Sequence, residues 1–157
     1  MQQAISLSIN GQDYVQNVDP EMPLLYFLRN YTKLNSPKYG CGLGQCGACM
    51  VLIDGMATPT CQLLVNQVLG KRITTLEGLT LENGELSPLQ QAFMDEQAAQ
   101  CGYCLNGMVI SSHELLQANP KPALEEVKEW LHPVLCRCGT HARILKAVLK
   151  AADAKNN

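Results

Sequence analysis

The spacing of hydrophobic residues changes part-way along the chain and divides it in two. Ile5, Leu7 and Ile9 alternate with Ser6 and Ser8, the two-residue period of a strand with one buried face. Asn10-Gly11 is a strong two-residue hairpin signal, and residues 14–18 predict the returning strand. Asp19-Pro20 breaks the sheet, and residues 23–30 predict a short helix with Pro23 in its first turn. Residues 38–47 are rich in Gly and Cys and show no period. Residues 50–53 form a short apolar strand, Asp54-Gly55 a second hairpin turn, and residues 71–76 a further strand.

Past residue 84 the period becomes helical. Ser87 caps a helix, with Pro88 at its first position and Gln90 three residues after the cap, and Leu89, Ala92 and Phe93 line one face. Leu105, Met108, Val109, Leu115 and Leu116 predict a second helix. Leu124, Val127, Trp130 and Leu131 predict a third, closed by His132-Pro133, and Ile144, Leu145, Val148, Leu149 and Ala152 a fourth. The class is α+β, with a strand-rich domain over residues 1–79, a linker over 80–84 and an all-α domain over 85–157.

Composition narrows the function classes. Of 157 residues, 46% are hydrophobic and 17% charged, enough to bury a core and too little charge for a disordered chain. Lys plus Arg number 12 against 14 Asp plus Glu, with no basic stripe, which argues against a nucleic-acid partner. The longest apolar runs, such as residues 24–28, are too short to span a bilayer. Residues 1–10 do not read as a secretory signal, so a cytoplasmic location is expected. There is no nucleophile–base pair, carboxylate dyad or phosphate-binding glycine loop.

The chemistry lies in eight cysteines that fall into two sets of four. Without a signal peptide they point to metal or redox chemistry rather than disulfides. Cys41-x4-Cys46-x2-Cys49, with Cys61 beyond the second hairpin, has the spacing of a plant-type [2Fe-2S] ferredoxin. Gly40, Gly42, Gly44 and Gly47 permit the tight loop that aims backbone N–H groups at anionic sulfurs. The second set is Cys101-x2-Cys104 with Cys136-x-Cys138, each pair just ahead of an amphipathic helix, so that two helix N-termini face one anionic centre. A four-cysteine zinc site is the alternative for either set, more so for the second.

Together these motifs resemble the small iron–sulfur subunits of the xanthine dehydrogenase/aldehyde oxidase family of molybdenum hydroxylases. The residues that carry the resemblance are Lys38-Tyr-Gly-Cys-Gly-Leu-Gly-Gln-Cys-Gly-Ala-Cys49, Ile73-Thr-Thr-Leu-Glu-Gly78, Gln100-Cys-Gly-Tyr-Cys104 and Leu135-Cys-Arg-Cys138, within a match over about residues 3–153. The resemblance implies a β-grasp, ferredoxin-like N-terminal domain, a four-helix-bundle C-terminal domain and a [2Fe-2S] cluster in each. It also implies a large partner subunit holding the molybdenum cofactor and the substrate, and an FAD or cytochrome c acceptor on another domain or chain. By the same resemblance Gln100 reaches the pterin of the molybdenum cofactor, and Cys138 is both ligand and closest link to it. Many family members follow the Cys-x2-Cys pair with Thr-Pro-Gly and the last cysteine with Thr-Gly-Tyr. Here those positions hold Leu105-Asn106-Gly107 and Gly139-Thr140-His141. In this the chain is similar to bacterial enzymes that hydroxylate N-heteroaromatic acids and rings, with nicotinate the expected substrate and isoquinoline the nearest rival. A stand-alone double-cluster ferredoxin, an iron–sulfur sensor and a zinc scaffold are the competing classes.

The remaining residues read as structural. His113, His132 and His141 are surface or partner-facing, and Met22, Met50, Met56, Met94 and Met108 pack in a core or interface. Trp130 anchors a helix face, and Glu125, Glu126, Lys128 and Glu129 form a solvated one.

Overall fold

The computed structural model describes residues 1–155. The expected helical domain runs to residue 157, and residues 156 and 157 lie outside the described residues. Strands β1 (Gln3–Ile9) and β2 (Gln12–Val18) form the first hairpin. Its turn residues have φ of 52° at Asn10 and 76° at Gly11, the left-handed pair that a two-residue turn needs to match strand twist. Asp54 and Gly55 repeat this between β3 (Met50–Ile53) and β4 (Met56–Pro59). Strand β5 (Arg72–Thr74) runs parallel to β1 and antiparallel to β3, giving the sheet order β2-β1-β5-β3-β4.

Helix α1 (Leu24–Tyr31) lies across one face of this sheet. Pro23 stands at its N-cap rather than inside the first turn as expected. Leu24, Phe27 and Leu28 pack on Ile5, Leu7, Ile9, Val51, Ile53 and Ile73, so the strand period and the helix stripe bury each other. Strand β5 is shorter than the expected 71–76. Thr75 is fully buried and exchanges hydrogen bonds with Asn10, through its N–H to Oδ1 (2.9 Å) and from Nδ2 to its Oγ1 (2.9 Å). These bonds pull the chain out of the ladder and into a 3-10 turn over Leu76–Leu79.

Four helices follow among the described residues: α2 (Pro88–Asp95), α3 (Leu105–Ala118), α4 (Leu124–Leu131) and α5 (His141–Lys155). The cap of α2 is reciprocal, with Gln90 N–H donating to Ser87 Oγ and Ser87 N–H to Gln90 Oε1 (2.9 Å). Strand β3 is buried on both faces. Val51 and Ile53 face α1, while Met50 and Leu52 join a core built with Phe93, Met108, Val109, Leu115, Val127, Ile144 and Val148. The two halves therefore share a core, although residues 80–84 carry the chain between them as turn and coil. Met50 and Met108 are core residues and Met22 packs against the sheet core, but Met56 and Met94 stand exposed on the described surface rather than packed in a core. No helix among the described residues is long and apolar enough to cross a membrane.

Candidate metal centres

The first cysteine set is built by the long loop from α1 to β3. Lys38 N–H donates to the Ala48 carbonyl (2.9 Å) and closes the loop at its base. Inside it, N–H groups point at sulfur: Leu43 and Gln45 at Cys41 Sγ, Cys41 at Cys46 Sγ and Gly44 at Cys61 Sγ, each at 3.3 Å. Cys61 is brought in by the β3–β4 hairpin, because Thr60 Oγ1 donates to the Cys49 carbonyl (2.8 Å). Cys49 and Cys61 are buried, and Cys41 and Cys46 half-buried. The N–H groups of Leu43 and Gln45 hold the Cys41 thiol down at about 6. Burial pushes Cys61 up, against the Gly44 N–H.

The second set lies at the N-terminal ends of α3 and α5. Cys104 is the N-cap of α3, and Cys136 and Cys138 precede α5. Burial, reinforced by Cys136, pushes Cys104 up to about 12. Burial also works to raise Cys136, but the Thr140 hydroxyl (3.3 Å) and N–H and the Cys104 thiol outweigh it and bring Cys136 to about 6. Cys101 is exposed, and the Tyr103 N–H (3.5 Å) and then Cys138 lower its thiol.

Within each set the thiols lie close enough to shift one another: Cys46 acts on Cys41, Cys49 and Cys41 on Cys61, Cys138 and Cys136 on Cys101, and Cys136 and Cys101 on Cys104. Among the described residues no three His, Cys, Asp or Glu side chains converge on one point suited to a single ion. Four cysteines with backbone N–H groups aimed at their sulfurs suit an anionic two-iron cluster. The two sets adjoin. Leu135 N–H donates to the Cys46 carbonyl (3.0 Å), the Tyr103 hydroxyl donates to the Tyr39 carbonyl, and a cleft of about 360 Å³ is lined by Cys41, Cys46, Cys101, Cys104 and Cys136.

Gln100 is exposed immediately before Cys101, and Cys138 is half-buried. His132 and His141 are exposed and line a neighbouring cleft with Cys41 and Cys136, while His113 is half-buried on α3. Sequence reasoning missed Asn106, a polar residue that falls in the same buried helical stripe as Val109 and Ile110 and is itself fully buried. It also missed Glu77, whose carboxylate accepts from Ser36 and Thr75 under the first loop.

Two family models match the chain: a 2Fe-2S iron-sulfur cluster binding domain over residues 7–86 and a [2Fe-2S] binding domain over residues 75–149. The chain is 52% identical to one of the subunits of nicotinate dehydrogenase from Pseudomonas putida, over 99% of this chain and 98% of that one. The chain belongs to the small iron–sulfur subunits of the molybdenum hydroxylases. It is also 46% identical to the nicotine 6-hydroxylase small subunit of Paenarthrobacter nicotinovorans, over 98% of this chain and 92% of that one. In structure it matches quinoline 2-oxidoreductase of Pseudomonas putida 86 with a TM-score of 0.92 at 38% identity, covering 99% of this chain and 96% of that one. A molybdenum hydroxylase small subunit carries [2Fe-2S] clusters and transfers electrons, while the molybdenum cofactor and the catalytic centre reside on the large partner chain. The two clusters of thiols described above suit that role.

Proposed function

We propose that this chain conducts electrons from the molybdenum cofactor of its large partner, through two clusters in series, to an external acceptor. The enzyme it serves hydroxylates nicotinate to 6-hydroxynicotinate, with oxygen taken from water and two electrons and two protons released. Cys41, Cys46, Cys49 and Cys61 hold one cluster, and Cys101, Cys104, Cys136 and Cys138 the other. A bound [2Fe-2S] cluster takes up and releases one electron at a time. The observation that carries the reading is the direct bond from Leu135 N–H to the Cys46 carbonyl, which joins the two cysteine loops without an intervening layer.

The protein's share of the work is electrostatic and positional. Backbone N–H groups of Cys41, Leu43, Gly44 and Gln45 donate to sulfur and offset the negative charge of a four-thiolate site. The Thr140 hydroxyl and the first turns of α3 and α5 do the same for the second set. Gln100 and Cys138 face the pterin on the partner, and the residues 42–47, 100–103 and 137–141 lie under the large subunit. The acceptor is FAD or a cytochrome c on another domain or chain, and the location is the cytoplasm. The boundaries of the units are residues 1–79 and 85–157, the second packing as a four-helix bundle. Relatives named for nicotine and quinoline support a second reading, in which the substrate is another N-heterocycle.

The test is coexpression with the large partner, followed by anaerobic addition of substrate. Nicotinate should bleach the visible absorbance of the clusters faster than isoquinoline, quinoline or nicotine. Faster bleaching by one of those rings transfers the substrate assignment to it. A chain that forms no molybdenum-containing complex acts as a free carrier, and the subunit role fails.

A further inference from the structure

Asn106 sits in the first turn of α3, two residues after Cys104, with its side chain fully buried. Its Nδ2 donates to the carbonyl oxygens of Ala48 (3.1 Å) and Met50 (2.8 Å), the residues on either side of Cys49. Both partners are acceptors only, which fixes the amide with nitrogen toward the loop and oxygen away from it. That Oδ1 finds no hydrogen-bond partner among the described residues. Ala48 O also accepts the Lys38 N–H, so the contact reaches both ends of the first cysteine loop. Met50 lies opposite Pro59 at a non-hydrogen-bonded position of the β3–β4 ladder, its carbonyl turned toward the β5 side, and β5 ends at Thr74, so the donor to that carbonyl comes from α3.

The backbones around this contact approach closely. A Cβ at Gly107 would collide with the Gly47 carbonyl oxygen and stand 2.9 Å from Val134 Cγ1. A Cβ at Gly47 would stand 3.0 Å from Val134 Cγ2. An apolar residue at 106 would fill this space without burying an unpaired oxygen, which is a cost the fold would otherwise avoid. What only a two-donor side chain adds is a fixed register between the turn that carries Cys104 and the peptide groups that flank Cys49.

We propose that Asn106 is a positioning residue that sets the separation and orientation of the two clusters. The proposal rests on the two-cluster reading above. Its chemistry is mechanical: Asn106 touches no thiol in the hydrogen-bond network, and it acts through the carbonyls beside Cys49 and the helix turn after Cys104. Magnetic coupling between two reduced clusters falls with the cube of their distance, and electron transfer falls faster still, so both report a slipped register.

The experiment uses the full chain assembled with its large partner. Asn106→Leu keeps the branched shape of the side chain and removes both donors. Asn106→Ser leaves a single donor too short to bridge two carbonyls. In either variant the iron content and the g values of each cluster should match wild type. The spin–spin splitting of the dithionite-reduced EPR spectrum should narrow, and after substrate addition the N-terminal cluster should be reduced later, relative to the C-terminal one, than in wild type. Wild-type splitting and timing in a variant with both clusters overturn the proposal. So does loss of both clusters from the Leu and Ser variants alike, the outcome for a residue that supports the fold alone. A wild-type protein without two cluster signals refutes the two-cluster reading itself, and the positioning role falls with it.

Discussion

Glu77 joins the turn after β5 to the start of the first cysteine loop. Its carboxylate accepts from Ser36 N–H (2.9 Å), Ser36 Oγ (2.5 Å) and Thr75 Oγ1 (2.6 Å). Ser36 and Thr75 are buried. In Glu77→Ala the two hydroxyls can turn to other acceptors, while the Ser36 N–H cannot. A bond to a charged acceptor contributes about 1.5–3 kcal/mol when buried, and the residue's exposure reduces each, so the expected total loss is about 2 kcal/mol. Glu77→Gln keeps an acceptor oxygen but places an NH2 beside a donor, and should cost roughly 1 kcal/mol. For a chain of this size the larger loss corresponds to a drop in melting temperature of roughly 4–8 °C.

The same site predicts a pH dependence. Desolvation works to raise the Glu77 carboxyl, but the Ser36 and Thr75 hydroxyls outweigh it, and the net pKa lies below the ordinary 4.5. A carboxylate with a depressed folded-state pKa stabilises the protein above its unfolded value and loses that contribution as pH falls through the folded one. The gap between wild type and Glu77→Gln should therefore be full at neutral pH and close below about pH 4.5. Far-UV circular dichroism melts across this range measure it, and visible absorbance follows cluster loss, which should begin at the N-terminal centre in the variant. A Glu77→Ala protein that melts with wild type at neutral pH, or a gap that does not change with pH, refutes the reasoning.

Three further outcomes follow from the geometry. Cys49→Ser should abolish the EPR signal of the N-terminal cluster alone and Cys104→Ser that of the C-terminal cluster alone, since each set is built by its own loops; loss of one and the same signal in both would contradict the ligand sets. Gln100→Ala should retain both clusters and slow reduction of the C-terminal one by substrate, measured by stopped-flow bleaching; unchanged rates remove Gln100 from the electron path. Gly47→Ala, at φ 75° with Val134 Cα 3.1 Å from the new Cβ, should cost about 1–3 kcal/mol. Gly11→Ala, at φ 76° with nothing near the new Cβ, should cost about 1–2 kcal/mol, so thermal melts that rank Gly11→Ala as the more damaging contradict the tight interface.

Local signals were legible wherever the deciding partner was close in sequence. The alternation at Ile5, Leu7 and Ile9, the Asn10-Gly11 and Asp54-Gly55 turns and the Ser87–Gln90 cap all appear where the pattern placed them. The cysteine spacings mark out two candidate ligand sets, and the first loop aims the N–H groups of Leu43, Gln45 and Gly44 at Cys41 and Cys61. What stayed hidden depends on distant partners. β5 stops at Thr74 because Asn10, 65 residues away, takes the hydrogen bonds of Thr75. Nothing in the pattern around the linker at 80–84 shows that Met50 and Leu52 pack into the helices, which they do because β3, as the shared strand, has no solvent face. Asn106 read as a departure from a family motif, and only its carbonyl partners 56 and 58 residues away give it a task.

That this small chain holds two [2Fe-2S] clusters is decided by metal analysis joined to EPR on the anaerobically purified full chain. Four irons per chain and two distinguishable signals of a single-electron-reduced two-iron cluster are expected. Stoichiometric zinc in place of iron, or iron that yields one signal only, would contradict the two-cluster chain.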